Sequence, residues 1–350
     1  MTETMTSADR LQAYQAGQAV DRRPIMLFHG TVGAKLAGMT YRESEMTAEN
    51  IAHKEITVAE KFAPDNYSVN FGLYGMGHAL GSQFKASEDS SDAIVSYALD
   101  DLAGIDQLDV ASLRLRNDPN QQKHYEAIEL IQKKLGPDYR IDYELSGPIT
   151  SAASLYPPEQ LLRATRKKTD QVHQLLRFAT DALLQIIDDF AAANPSIGFS
   201  LTDPVASGAL LSPKQYEKFC QPYTKEIVDR IHHYGKSVTL HICGDCTKSL
   251  PYIAGTGIDY FSADQTVDLQ AAKAGLGPDC GLIGNIDPVK YFLQGQPEDL
   301  EAQVAQSYVQ AADHEGGYLL GPGCSVPYHT PEENIQAYME AARRYSRDDK

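Results

Sequence analysis

The sequence predicts one α/β domain, a TIM (β/α)8 barrel with N-terminal helical additions, spanning residues 1–350 with its core at about 20–346. Three observations predict it. Eight short runs rich in β-branched and aromatic residues alternate with helical periodicities, as the βαβ units of a parallel sheet require. No G-x-G-x-x-G or P-loop motif supports the alternative, an open doubly wound sheet. Polar residues with chemistry to offer stand where the strands end: His29, Asn70, Glu144, Asp203, His241 with Cys243, Asp264, Asn285 with Asp287, and Cys324. In a closed barrel those ends meet at one mouth, where active sites lie.

The elements follow in order. Residues 1–7 are polar and read as frayed, and Ser7 opens a short helix through Ala16. Pro24 to His29 is the first strand, ended by Gly30. Thr47 starts a helix whose stripe is Ile51, Ile56, Val58, Ala59 and Phe62. Tyr67 to Phe71 is the second strand, and Gly75 to Gly81 a glycine-punctuated helical turn. Residues 83–118 show no clear period and read as an insertion or loops. Gln121 to Leu135 is a helix stopped by Gly136-Pro137, and Tyr139 to Leu145 the third strand. Lys167 to Phe190 is a long helix with Val172, Leu176, Ala179, Leu183, Ile187 and Phe190 on one face.

The second half is more regular. Ile197 to Leu201 is the fourth strand. Ser212-Pro213 then opens a helix to His233, at the cap and first-turn positions those residues favour. Val238 to Ile242, Tyr260 to Ala263, Gly281 to Ile286 and Tyr318 to Leu320 complete the eight strands. Thr247 to Ala254, Leu269 to Leu276 and Pro297 to His314 are the intervening helices. Thr330-Pro331-Glu332-Glu333 caps the last, which runs to Tyr345.

Composition narrows the function classes. A net charge of -16 disfavours nucleic acid and anionic membrane surfaces as partners. No run approaches the ~18 apolar residues of a membrane span. The five cysteines are an odd number in a long chain whose first residues lack an apolar stretch, which reads as cytoplasmic thiols rather than a disulfide framework. Cys220 and Cys280 read as small buried apolar residues. His53, His124, His173, His232 and His233 fall in helical runs and read as solvated or core.

The stretch V-T-L-H-I-C-G-D-C at 238–246 carries the chemistry. Strand alternation puts His241 and Cys243 on one face. Cys324, after the apolar run Y-L-L-G-P-G, offers a third soft ligand. One His and two Cys make a zinc site with one position left open. Cys246 could replace Cys324 in that set, and Cys243 with Cys246 also has the spacing of a redox pair.

Several further segments carry a resemblance: D-R-R-P-I at 21–25, G-P-I-T-S-A-A at 147–153, D-P-V-A-S at 203–207 and L-S-P-K-Q-Y at 211–216. H-I-C-G at 241–244, G-N-I-D-P-V at 284–289, G-P-G-C-S-V-P at 321–327 and T-P-E-E-N-I at 330–335 extend it. With these the chain resembles the uroporphyrinogen decarboxylase superfamily. It is more similar to the zinc branch, the methylcobalamin:coenzyme M methyltransferases and related corrinoid-dependent methyltransferases. The decarboxylases themselves carry an arginine-rich segment after the first strand and an acidic residue after the second. Here those places hold H-G-T-V-G-A-K-L and Asn70.

The resemblance implies zinc held by His241, Cys243 and Cys324, with a methylated corrinoid as co-substrate. It implies a small thiol or methylated small molecule as the other substrate, and a separate corrinoid-binding protein as partner. Transfer from corrinoid to thiol is the expected direction. The alternatives are loading of a corrinoid protein from an O- or N-methyl donor, decarboxylation, or a non-catalytic metal or redox role. Glu144 and Asp264 are candidates for the fourth zinc position or for the thiol proton. Asp203 and Asn285 complete the expected catalytic set as hydrogen-bonding partners of substrate or corrinoid tail. His29 and Asn70 are expected cofactor contacts, and Lys35 is the cation offered to an anionic acceptor.

Overall fold

The computed structural model describes residues 3–347. Its strands are β1 (Tyr67–Asn70), β2 (Gln83–Lys85), β3 (Ala93–Ser96), β4 (Ile141–Ser146), β5 (Gly198–Thr202), β6 (Val238–Ile242), β7 (Tyr260–Ala263), β8 (Gly281–Ile283) and β9 (Tyr318–Leu319). Seven of them form one sheet in the order β1-β4-β5-β6-β7-β8-β9, every pair parallel.

The expected first strand fills the eighth position without a regular ladder. Ile25 bridges Leu320 just beyond β9, and the Met26 N–H donates to the Leu320 carbonyl at 2.9 Å. On the other flank the Asp65 N–H donates to the Ile25 carbonyl at 2.8 Å. Side chains then replace the ladder. Asp65 takes the Ile25 N–H at 2.8 Å, while Asn66 accepts from the Leu27 N–H at 2.7 Å and donates to the Leu27 carbonyl at 3.1 Å. The backbone groups of this segment are therefore satisfied on both sides, as a buried strand needs, and the sheet closes into the barrel.

Alternation along the strands sorts residues between lumen and helices. In β4, Ile141, Tyr143 and Leu145 are buried, and Asp142 and Glu144 between them are half-buried. In β6, Val238, Leu240 and Ile242 are buried, and Thr239 and His241 are half-buried. One side of the lumen is filled by Met26, Tyr260, Ile283 and Leu319 with Phe28 packed on them. The other is polar and open towards the mouth.

Several elements differ from the sequence reading. The helix expected over 213–233 is two, Pro213–Phe219 and Gln221–His233. They break at Cys220, just before Pro222, which has no N–H to bond back. Helices Pro148–Leu155 and Pro158–Lys167 were not expected. Every residue of the first is buried, so it has no polar face from which a period could be read. Within 83–118, β2 and β3 form an antiparallel hairpin, and Asp101 and Asp109 cap two 3-10 turns.

Met1 and Thr2 lie outside the described residues, but the rest of the supposedly frayed N-terminus is bound. Glu3 pairs with Arg10 at 3.1 Å, Arg22 at 2.9 Å and Arg343 at 3.2 Å. Arg10 and Arg22 also reach the fully buried Asp65 at 2.6 and 2.5 Å. This cluster ties the helices Ser7–Gln15 and Glu332–Tyr345 to the closing segment. Among the described residues no helix is long and apolar enough to cross a membrane.

Candidate metal centre

His241 is the fourth residue of β6, and Cys243 follows the strand directly. Being two apart, both side chains turn towards the lumen. Gly244 then takes φ 79°, a left-handed turn that glycine adopts without strain. Cys324 arrives on a different segment. Ile286 bridges Pro322, the Gly323 N–H donates to the Ile286 carbonyl at 2.7 Å, and the Val326 N–H donates to the Phe28 carbonyl at 2.8 Å. The Cys324 turn is thus pinned on both sides of the ligand.

These two segments bring three soft donors together. His241 Nε2 lies 3.2 Å from Cys243 Sγ, and Cys243 Sγ lies 3.9 Å from Cys324 Sγ. All three donor atoms fall within 4.8 Å of one another. Zinc bonds of ~2.0–2.3 Å at tetrahedral angles give ligand–ligand edges of about 3.5–3.8 Å, so the trio matches a zinc site with one corner free. The other nitrogen of the ring is fixed: Nδ1 lies 3.1 Å from the Ser262 carbonyl. A carbonyl can only accept, so Nδ1 carries the hydrogen and Nε2 presents its lone pair.

The electrostatics favour anionic sulfur here. The hydrogen bond from Cys243 holds the Cys324 thiol down at about 4, against burial and with further help from His241. The same hydrogen bond, with burial, pushes Cys243 up. Burial opposes the His241 imidazolium, but the hydrogen bond and charge of Cys324 outweigh it and raise its pKa.

A polar belt leads away from the trio around the lumen wall. Thr202 sits opposite His241 in register, and its hydroxyl donates to Glu144 Oε1 at 2.9 Å. Asn70, opposite Glu144, donates to the same oxygen at 3.1 Å. Burial raises the Glu144 pKa, partly offset by Thr202 and His241.

The other expected site residues are held elsewhere. Asp203 Oδ1 accepts from the Thr150 N–H at 3.0 Å and its hydroxyl at 2.6 Å, and burial lifts its carboxyl to about 6. Asp264 Oδ1 is taken by the N–H and hydroxyl of Thr266 at 2.8 and 2.7 Å. Asn285 Nδ2 donates to the carbonyls of Asp264 and Val267 at 2.8 and 2.6 Å. His29 spends both ring nitrogens in the core, Nδ1 on the Leu27 carbonyl at 2.8 Å and Nε2 on Glu55 at 2.9 Å. That leaves no nitrogen for a ligand.

Lys35 bonds the carbonyl of Thr330 at 3.0 Å instead of facing an acceptor. Cys246 is buried in the apolar core, and burial with Asp245 pushes its thiol up to about 12. Among the described residues, His241, Cys243 and Cys324 are the one group of three or more such donors placed to hold a metal ion. Sequence reasoning missed Ser262 and Thr202. Strand alternation carried the signal, since both lie on lumen-facing positions next to His241.

Comparison with known proteins agrees with this architecture. A sequence model of the uroporphyrinogen decarboxylase family matches residues 6–345. The methylcobamide:CoM methyltransferase MtbA of Methanosarcina acetivorans is 28% identical over 363 residues, covering 99% of each chain. A uroporphyrinogen decarboxylase of Prochlorococcus marinus is 32% identical over 175 residues, 46% of this chain and 48% of that one. A solved methyltransferase from Methanosarcina mazei superposes with a TM-score of 0.86 at 25% identity, over 98% of this chain and 99% of that one.

Proposed function

This chain belongs to the uroporphyrinogen decarboxylase family, and from that premise we propose that it is a zinc-dependent methyltransferase moving a methyl group from a methylated corrinoid to a small thiol of the coenzyme M kind. The observation that carries this reading is the convergence of His241, Cys243 and Cys324 at the barrel mouth. Decarboxylation needs no such sulfur-rich trio. The relative matched over nearly its full length is named a methylcobamide:CoM methyltransferase, which supports the same reading.

Two thiolates and an imidazole suit zinc and a soft substrate atom better than a hard oxygen. When bound, zinc supplies the positive charge beside which a substrate thiol gives up its proton at neutral pH. The chain's own residues do the rest. Ser262 holds the imidazole in the one tautomer that presents Nε2. The pinned Cys324 turn fixes the third donor. Glu144 stands on the lumen wall with two donors on Oε1, and its raised pKa suits it to accept the thiol proton. In the transfer, a sulfur electron pair forms the new C–S bond. The Co–C bond breaks, and its pair leaves with cobalt as Co(I). The corrinoid arrives on a separate corrinoid-binding protein.

The test is a spectrum. Purified protein with methylcobalamin and a panel of small thiols loses the methyl–cobalt absorbance with at least one thiol. If no thiol does this, while an O- or N-methyl donor methylates cob(I)alamin, the direction proposed here is wrong.

A further inference from the structure

We infer that Asn70 is a positioning residue for the methyl transfer: its amide holds Glu144 by Oε1 and leaves Oε2 free to receive the thiol proton. The inference rests on the proton-accepting role given to Glu144 above. Asn70 ends β1 and stands opposite Glu144 of β4 in the parallel register. The Phe71 N–H donates to the Glu144 carbonyl at 2.8 Å, so the main chain is fixed at the same level.

Both ends of the Asn70 amide are committed. Oδ1 accepts the Gly72 N–H at 2.5 Å, a side-chain turn that asparagine favours. Nδ2 donates to Glu144 Oε1 at 3.1 Å. Turned over, the amide would set N–H against N–H at Gly72 and oxygen against oxygen at Glu144. The backbone at Gly72 therefore makes Asn70 a donor to Glu144. Thr202 gives Oε1 its second donor at 2.9 Å. Among the described residues none donates to Oε2. Glu144 is only half-buried, and Oε2 is not one of the sealed, unpartnered side-chain atoms of the fold, so it is reachable from the lumen. Glu144 also stands outside the group of donors lying within 4.8 Å of one another.

Charge explains why a neutral donor is needed. The ionisable groups around Glu144 are Asp142 on its own strand, Glu55 from the helix Ala48–Phe62 and His241 from β6, Tyr41 from the helix Tyr41–Ser44, and Cys243 after β6. Asp142 pairs with Arg140 at 2.7 Å and Glu55 with His29 at 2.9 Å. Of these groups only His241 favours the ionised Glu144 carboxyl. The two neutral donors on Oε1 supply the rest, since hydrogen bonds to a carboxylate favour its charged form. An aspartate in place of Asn70 would instead share a proton with Glu144 and occupy the base before the thiol arrives. In the step itself the thiol S–H bond breaks, its electron pair stays on sulfur, and the proton goes to Oε2. Oε1 keeps both donors throughout.

The test reads Glu144 directly and then the reaction. Zinc-loaded protein carrying 13C at the glutamate carboxyls is titrated by NMR, and the Glu144 signal is the one missing in Glu144→Gln. Asn70→Leu removes the donor. Asn70→Asp removes it but keeps the acceptor for Gly72, so the turn survives. The Glu144 midpoint moves up by about one pH unit in Asn70→Leu and further in Asn70→Asp. The acid limb of methyl transfer from methylcobalamin to coenzyme M moves with it, while the plateau at higher pH stays within about twofold. A Glu144 midpoint that is the same in the wild type and both variants overturns the inference. A lowered plateau with an unmoved acid limb also overturns it, because that is what a merely structural role gives. Failure of the underlying reading looks different: Glu144→Gln then keeps the wild-type rate and acid limb.

Discussion

His241 donates its Nδ1–H to the Ser262 carbonyl at 3.1 Å across the β6–β7 pairing. The main chain thus orients the ring, and the Ser262 hydroxyl at 3.2 Å only assists. Ser262→Ala therefore loses less than about tenfold in zinc affinity, because the carbonyl that holds the ring stays in place. Competition with a chromophoric chelator measures it. A loss as large as that of His241→Ala would show that the hydroxyl, not the carbonyl, sets the tautomer.

Asp203 clamps Thr150 through two hydrogen bonds and leaves almost no space at Gly147, where an added Cβ would come 2.2 Å from its Cγ. Asp203→Ala then lowers stability by about 2 kcal/mol or more, as expected when buried donors lose their acceptor. Zinc content stays near one per chain. Urea unfolding with metal analysis checks both. A variant with native stability and no turnover would place Asp203 in the chemistry instead.

Asp65 is the carboxylate between Arg10 and Arg22, and all three are buried. Removing it leaves two buried guanidinium groups short of a partner. Asp65→Ala should cost about 3–5 kcal/mol, visible as a lower unfolding midpoint in urea. A near-neutral result would mean that Glu3, which pairs with both arginines, and Asp21, 2.8 Å from Arg10, satisfy them without Asp65.

His124 is buried, with Nδ1 3.1 Å from the Tyr143 hydroxyl, and burial, with Lys123 nearby, depresses its pKa from 6.5 to about 3. Between those values the unfolded chain binds a proton that the folded chain refuses. Stability therefore falls as pH falls through that window, by on the order of 2 kcal/mol at pH 5. His124→Gln should show a shallower decline in melting temperature from pH 7.5 to 5 than the wild type. Equal slopes would mean that His124 is protonated in the fold.

Local pattern carried most of the strand–helix order and the shared face of His241 and Cys243, because both depend on spacing along the chain, while Cys324, 81 residues on, was set apart from Cys246 only by the resemblance. V-T-L-H-I-C contains the alternation that turns His241 and Cys243 the same way. What it could not carry was partnership between distant segments. His29 stands at a strand end, yet Glu55 claims its ring from the helix Ala48–Phe62. The first strand lost its regular ladder because Asp65 and Asn66 take its backbone groups with side chains.

The third ligand to the metal is the sulfur of Cys324, not that of Cys246, if the site works as proposed. Zinc per chain, measured on purified wild type, Cys324→Ser and Cys246→Ser, decides it. About one zinc is expected in the wild type and in Cys246→Ser, and far less in Cys324→Ser. Full occupancy in Cys324→Ser, or loss confined to Cys246→Ser, would contradict it.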